Sequence, residues 1–319
     1  MAKKVFLSRI IPDPGMDLLK NSEFDSEILY EEKPLSPQEL RERVKDVHGL
    51  ICLLDDKIDK ELIDAAPHLE VISNMAVGYN NIDYNYAKSK GIAVCNTPGI
   101  LTQSTAELAW ALLFAIARRI PESDRFMRDG KFTGWMPLLM LGGDISGQTL
   151  GVIGTGRIGS AFAMMSKGFN MKVLYSGKPN PLLDKELNAK NVDQDTLIRE
   201  SDFISLHVPL RPENHHMIGK REFDMMKSTA YLINTARGPV IDEKALIRAL
   251  KEKRIAGAAL DVYENEPALT PGLDELDNVV LTPHTGSATV PVRNRLAVVI
   301  AVENCLRILR GEPGENRIV

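Results

Sequence analysis

"GVIGTGRIGS" (151–160) runs from an apolar strand pattern through three glycines into a helix pattern. Gly154, Gly156 and Gly159 match G-x-G-x-x-G. In that loop the first glycine makes a tight turn, the second lets the backbone approach a pyrophosphate, and the third packs helix on strand. The helix opening at Arg157 offers free N–H groups and a positive dipole end to an anion. The same pattern alone also describes a structural turn, so its surroundings decide. After "TLGVIG" (149–154) come "MKVLYS" (171–176), "DFISLHV" (202–208), "AYLINTA" (230–236), "IAGAALDVY" (255–263) and "NVVLTP" (278–283). Short apolar runs alternating with amphipathic stretches predict a doubly wound α/β sheet of parallel strands.

A second series precedes it. "KVFLSRI" (4–10), "GLICLL" (49–54), "LEVISNM" (69–75) and "GIAVCN" (91–96) read as buried strands separated by helical stretches. Between the two series, residues 102–130 read as one long apolar helix, capped by Thr102 or Ser104. A last helix pattern, 290–311, has nothing of its own to pack on beyond the second sheet and is expected to return to the first. The prediction is therefore two doubly wound parallel-sheet domains: residues 1–100 with 288–319, discontinuous, and a dinucleotide-binding domain at 101–287. A cleft between them is the expected ligand site.

Composition agrees with this class. The 319 residues are many for a single core; 44% are apolar and 26% charged, and the net charge is −4 with no run of five like charges. Nucleic acid and anionic membranes are disfavoured as partners. Cys52, Cys95 and Cys305 are far apart with no C-x-x-C pair, so neither disulfide framework nor metal site is expected, and a cytoplasmic setting fits. No apolar stretch reaches transmembrane length, and the first apolar run is too short for a signal-peptide core.

A glycine loop of this kind points to an acid at the end of the next strand, which holds the adenosine ribose of NAD. Here "VLYSGKPN" (173–180) offers Ser176, Gly177 and Lys178 instead. An acid at a few ångströms from a 2′-phosphate would be repelled by about 4 kcal/mol at an effective dielectric near 20. Ser176 removes that repulsion, and Lys178 and Arg157 are available phosphate partners. NADP(H) is predicted over NAD(H), with NAD(H) still usable.

Three segments follow strands of the second sheet: "NTARGPV" (234–240), "LDVYENEP" (260–267) and "LTPHTGSAT" (281–289). Reducing a 2-oxo acid requires a cation for the carboxylate, a proton donor for the carbonyl oxygen, and a group that keeps that donor protonated. Arg237, His284 and Glu266 suit these roles in that order. His207 in "SLHVPL" is a rival acid; His215 and His216 read as surface residues, and His48 and His68 as structural.

Taken together, "GTGRIG", "NTARGPVID", "AALDVYENEP" and "LTPHTGSAT" resemble, in order and spacing, the D-isomer-specific 2-hydroxyacid dehydrogenases, over essentially the whole chain. The resemblance implies that Arg237 binds and polarises the substrate, that His284 is the general acid/base, and that Glu266 pairs with it. It implies a cofactor site lined by Gly154, Thr155, Gly156, Arg157, Ile158, Gly159, Ser176, Lys178, His207, Val208, Pro209, Thr235, Ala236 and Gly286, with Asp261 at the nicotinamide carboxamide. "NMAVGYNNID" (74–83) is similar to the loop whose N–H groups, around Val77 and Gly78, take the substrate carboxylate. Leu53 and Leu54 fall at the pocket wall, and Trp135 matches a tryptophan reaching across a homodimer. Within the family this set looks most like the glyoxylate/hydroxypyruvate reductases, although Met75 stands where a polar or aromatic residue is expected. A broader D-2-hydroxyacid dehydrogenase, acting on hydroxyphenylpyruvate, pyruvate or phosphoglycerate, is the alternative, and a cofactor-sensing binding protein a more distant one.

Overall fold

The computed structural model describes residues 2–296 and 301–319. They divide into two units, one running to Leu101 and resuming over Ala288–Val319, the other spanning Thr102–Ser287.

The first unit holds five parallel strands: β1 (Lys4–Leu7), β2 (Asp25–Ile28), β3 (Gly49–Cys52), β4 (Val71–Asn74) and β5 (Ala93–Cys95), in the order β2-β1-β3-β4-β5. That is the flavodoxin-like order. Successive side chains on a strand point to opposite faces. Val5 and Leu7 accordingly join Ile51 and Val71 on one face, while Phe6 joins Leu50 and Ile72 on the other. Helix Glu303–Leu309 covers the first of these faces with Leu306 and Leu309. The helix pattern at 290–311 is seen as Val290–Arg295 and Glu303–Leu309, and its residues 297–300 lie outside the described residues.

The second unit holds β6 (Thr149–Ile153), β7 (Lys172–Ser176), β8 (Lys190–Asn191), β9 (Phe203–Leu206), β10 (Tyr231–Asn234), β11 (Gly257–Leu260) and β12 (Val279–Leu281). Their order is β12-β11-β10-β9-β6-β7-β8, all parallel. This is the Rossmann arrangement extended by one strand. Because every strand runs the same way, the loops after β6, β10, β11 and β12 emerge along one edge of the sheet, and the candidate site is built there.

The long helix expected over 102–130 is two helices, Thr102–Ala117 and Ile120–Arg128. Arg119 between them is left-handed, with φ of 51°. Pro121 in the first turn of the second helix explains the break, since its ring disfavours a continuing helix before it. The first helix is a core element: Trp110 is 5% exposed, stacks on Phe162 and Phe169, and donates its indole N–H to Phe162 O at 2.9 Å.

Candidate active site

The three glycines differ in what they permit. Gly154 has φ of 93°, and a Cβ there would meet His207 O at 2.8 Å. A Cβ on Gly159 would lie 2.0 Å from Gly154 O, so only glycine lets helix Arg157–Met165 approach β6 this closely. Gly156 is the opposite case. A Cβ there would meet nothing within 4 Å, leaving open space above the backbone at the helix N-terminus. After β10, two strands along the sheet from β6, Thr235 Oγ1 is buried without a hydrogen-bond partner among the described residues. An open backbone cradle and an orphaned hydroxyl suit a dinucleotide. Gly159→Ala is expected to lower stability by about 1–3 kcal/mol, the usual cost of overpacking, and to weaken nucleotide binding; thermal unfolding and nucleotide titration measure both.

The 176–180 turn is fastened to this loop. Gly154 N donates to Ser176 O at 3.1 Å and Thr155 Oγ1 to Lys178 O at 3.2 Å. Asn180 Nδ2 donates to Ser160 Oγ at 2.8 Å, and its backbone N–H to Tyr175 Oη at 3.0 Å. Ser176 is 9% exposed, whereas Lys178 and Arg157 are exposed. Among the described residues neither cation has an acidic partner within ion-pairing distance.

Beyond β10, the buried Asn234 shapes the turn that carries Arg237: its Oδ1 accepts Ala236 N–H and its Nδ2 donates to Arg237 O, both at 3.0 Å. Burial pulls the Arg237 guanidinium down from its ordinary value, opposed by the charge of Glu266. A guanidinium nevertheless stays protonated in proteins. Its partner segment is in backbone contact, because a Cβ on Gly238 would fall 1.8 Å from Tyr263 C.

His284 Nδ1 and Glu266 Oε2 are 2.9 Å apart. Glu266 Oε1 accepts Tyr263 N–H at 2.9 Å. Burial pushes the Glu266 carboxyl up, but the hydrogen bond and charge of His284, the Tyr263 amide and the charge of Arg237 outweigh it, and the carboxyl lies below its ordinary value. An ionised Glu266 on Nδ1 leaves Nε2 of the ring as the nitrogen able to exchange a proton with a ligand.

The turn presenting His284 is strained, with φ of 51° at a non-glycine residue. Asp261, 1% exposed, holds it. Asp261 Oδ1 accepts from Thr282 Oγ1 and Thr285 N at 2.7 Å and from Thr285 Oγ1 at 3.3 Å, while Oδ2 accepts Gly286 N–H at 2.8 Å. A carboxylate has about four acceptor positions. With three donors on Oδ1 and one on Oδ2, an acceptor position on Oδ2 stays open to a further donor such as a carboxamide.

His207 is distinguished from His284 by its surroundings. Its ring lies against Phe162 with centroids 4.9 Å apart and bonds Ser205 Oγ at 2.9 Å, and burial pushes its imidazole down to about 3. Neutral at ordinary pH, it has no proton to give as an acid. His216, read from sequence as a surface residue, is not free: its Nε2 meets Glu264 Oε1 at 2.8 Å. Glu264 lies 48 residues away in sequence, so no local pattern announces the pair.

In the first unit, Leu53 and Leu54 follow β3 and are partly exposed. Asp56 Oδ2 takes Leu53 N–H at 2.7 Å, and Asn81 Nδ2 donates to the carbonyls of Leu53 and Asp56 at 3.1 and 3.0 Å. Asn96 and Asn74 side chains bind the carbonyls of Val77 and Gly78 at 2.8 and 2.9 Å. Those bonds occupy the carbonyls, whereas the N–H groups of Val77 and Gly78 donate to no protein acceptor among the described residues. Met75, 7% exposed, packs in the core of the first sheet. In the second unit Trp135 is 83% exposed, as are Leu138 at 80% and Leu141 at 60%.

The described residues contain no group of His, Cys, Asp and Glu able to hold a metal ion and no helix long and apolar enough to cross a membrane. Comparison with known proteins agrees with this architecture. Residues 110–286 match the NAD binding domain of the D-isomer specific 2-hydroxyacid dehydrogenases. A glyoxylate reductase of Thermococcus litoralis is 48% identical over 323 residues, covering 100% of this chain and 97% of its own. Among solved structures, the TT0316 protein of Thermus thermophilus superposes with a TM-score of 0.93 at 41% identity, over 99% of this chain and 100% of that one. An NADPH-dependent glyoxylate/hydroxypyruvate reductase of Sinorhizobium meliloti, in complex with NADP and malonate, gives 0.88 at 28% identity, over 100% of this chain and 97% of that one. With two parallel sheets in these orders, a nucleotide cradle on the second, and relatives alike from end to end, the chain belongs to the D-isomer specific 2-hydroxyacid dehydrogenases, enzymes that use a nicotinamide cofactor.

Proposed function

We propose that the protein reduces glyoxylate and hydroxypyruvate, to glycolate and D-glycerate, using NADPH in preference to NADH. The observation that carries this reading is the His284–Glu266 pair, 2.9 Å apart, facing the same strand-end loops as Arg237. The second unit serves as the dinucleotide-binding domain and the first as the substrate domain.

When bound, the reduced nicotinamide supplies a hydride for C2 of the 2-oxo acid. His284 gives its Nε2 proton to the oxygen that becomes the hydroxyl, and Glu266 on Nδ1 orients the ring so that Nε2 faces that oxygen. Arg237 holds the substrate carboxylate and stabilises charge growing on the carbonyl oxygen. Val77 and Gly78, whose N–H groups have no protein acceptor among the described residues, are assigned to binding of a substrate carboxylate, and Leu53, Leu54 and Trp135 to limiting the size of the substituent. Asp261 acts on the reaction through the turn it ties, beside whatever contact it shares with the carboxamide. The exposed Trp135, Leu138 and Leu141 suit burial in a homodimer. Three buried free thiols suit a reducing cytoplasm.

The cofactor preference rests on Ser176, with Arg157 in the glycine loop and Lys178 beside it, neither with an acidic partner among the described residues. Ser176→Asp is expected to cut kcat/KM for NADPH at least about tenfold relative to NADH, by like-charge repulsion. Equal losses with both nucleotides would remove the basis of the preference.

The reading is tested by following oxidation of NADPH and of NADH with glyoxylate, hydroxypyruvate, pyruvate and hydroxyphenylpyruvate. Rapid NADPH oxidation with the two small acids is expected. Preference for the bulkier acids would point to a broader dehydrogenase, and nucleotide binding without turnover to a cofactor-sensing protein.

A further inference from the structure

Glu243 is a charged residue outside the site that is almost wholly buried, at 1% exposure. It opens helix Glu243–Lys251, five residues after Gly238, where a first-turn acid ordinarily faces water. Its side chain crosses instead to the loop bearing Glu266. Glu243 Oε1 accepts Glu264 N–H at 2.8 Å, and Oε2 accepts the hydroxyl of Thr270, itself 7% exposed. The bonding is reciprocal, since Glu264 Oε2 accepts Glu243 N–H at 3.3 Å. Glu264 Oε1 in turn meets His216 Nε2 at 2.8 Å, and His216 N–H donates to Pro239 O at 2.8 Å, in the loop of Arg237. Thr270 and Glu264 thus flank Glu266 on both sides, and each is tied to the segment that follows Arg237.

We propose that Glu243, with Thr270, is a positioning residue for the proton relay: it clamps the 264–270 loop so that the Glu266 carboxylate meets His284 Nδ1. A buried carboxylate is costly unless its acceptors are used. Glu243 has donors from the loop on both oxygens and stands at a helix N-terminus, which offsets that cost. Loosening the loop moves Glu266, and a misplaced relay partner lowers turnover with little effect on substrate binding.

This inference rests on the assignment of Glu266 above, and the experiment separates the two. The pH profile of kcat/KM is measured for wild type, Glu266→Gln, Glu243→Ala, Thr270→Val, Thr270→Ser and the double variant Thr270→Val/Glu266→Gln, with thermal unfolding and nucleotide Kd alongside. Glu243→Ala and Thr270→Val are expected to lower kcat about tenfold, change KM less than about twofold, and displace the basic limb of the profile in the same direction as Glu266→Gln does. Thr270→Ser restores both, and the double variant is no slower than Glu266→Gln, because the clamp acts through Glu266. Thr270→Val removes one hydroxyl and keeps the test available should Glu243→Ala not fold. A moved limb in Glu266→Gln alone, or losses that multiply in the double variant, overturns the clamp only. A Glu266→Gln profile that keeps the wild-type limb overturns the relay assignment and the clamp together.

Discussion

His284→Ala is expected to lower kcat by about 10²–10⁴-fold, the span over which a positioned general acid contributes, while nucleotide Kd stays within about twofold. The separation follows from where His284 sits. Its ring contacts Glu266, and its backbone N–H is held by Asp261 O at 3.0 Å, whereas the glycine loop proposed to take the pyrophosphate follows β6, on the far side of β9–β11. Steady-state rates and a nucleotide titration check both halves. Turnover near wild type in His284→Ala would remove the acid from the mechanism. His207 does not replace it, because burial keeps that ring neutral.

Arg237→Ala is expected to lower kcat/KM by about 10³-fold or more, since in the proposed mechanism one residue supplies both the carboxylate partner and the charge facing the developing oxyanion, and loss of a single oxyanion donor costs about 10²–10³. Arg237→Lys recovers only part of this. A lysine is a point charge without the planar fork that grips a carboxylate in two places. Asn234 shapes the backbone of the turn around Arg237, so the arginine variants should unfold near the wild-type temperature. Loss of activity through KM alone would reduce Arg237 to a binding residue.

Ten of the twelve described strands were legible as apolar runs because parallel strands are buried on both faces. Their ends were not. "AYLINTA" reads as strand to Ala236, yet β10 stops at Asn234, whose side chain turns the chain toward Arg237. β2 escaped notice because "DSEI" carries a single apolar residue and pairs only at the sheet edge. β8, two exposed residues at the other edge, escaped for the same reason. The break at Arg119 was signalled by Pro121 and by the change from the apolar Thr102–Ala117 to the charged Ile120–Arg128, which buries no residue.

For the site, glycine spacing indicated both the close packing at Gly159 and the open face at Gly156, since both follow from the absence of a side chain. What sequence could not display were partners brought together by the fold. Glu243 looks like an ordinary first-turn acid until Thr270, 27 residues on, lies against it. Asp261, read from sequence as a ligand contact, also holds the 282–286 turn through four donors that no local pattern announces. His216 lies in a polar stretch, "RPENHHMIG" (211–219), that gives no hint of Glu264.

The central claim is a direct hydride transfer to C2 of a small 2-oxo acid with D stereochemistry. Reduction of hydroxypyruvate with NADPH carrying deuterium on the transferable position of nicotinamide C4 tests it most directly. D-glycerate bearing one deuterium at C2 is expected. L-glycerate, a racemic product, or unlabelled glycerate would contradict it.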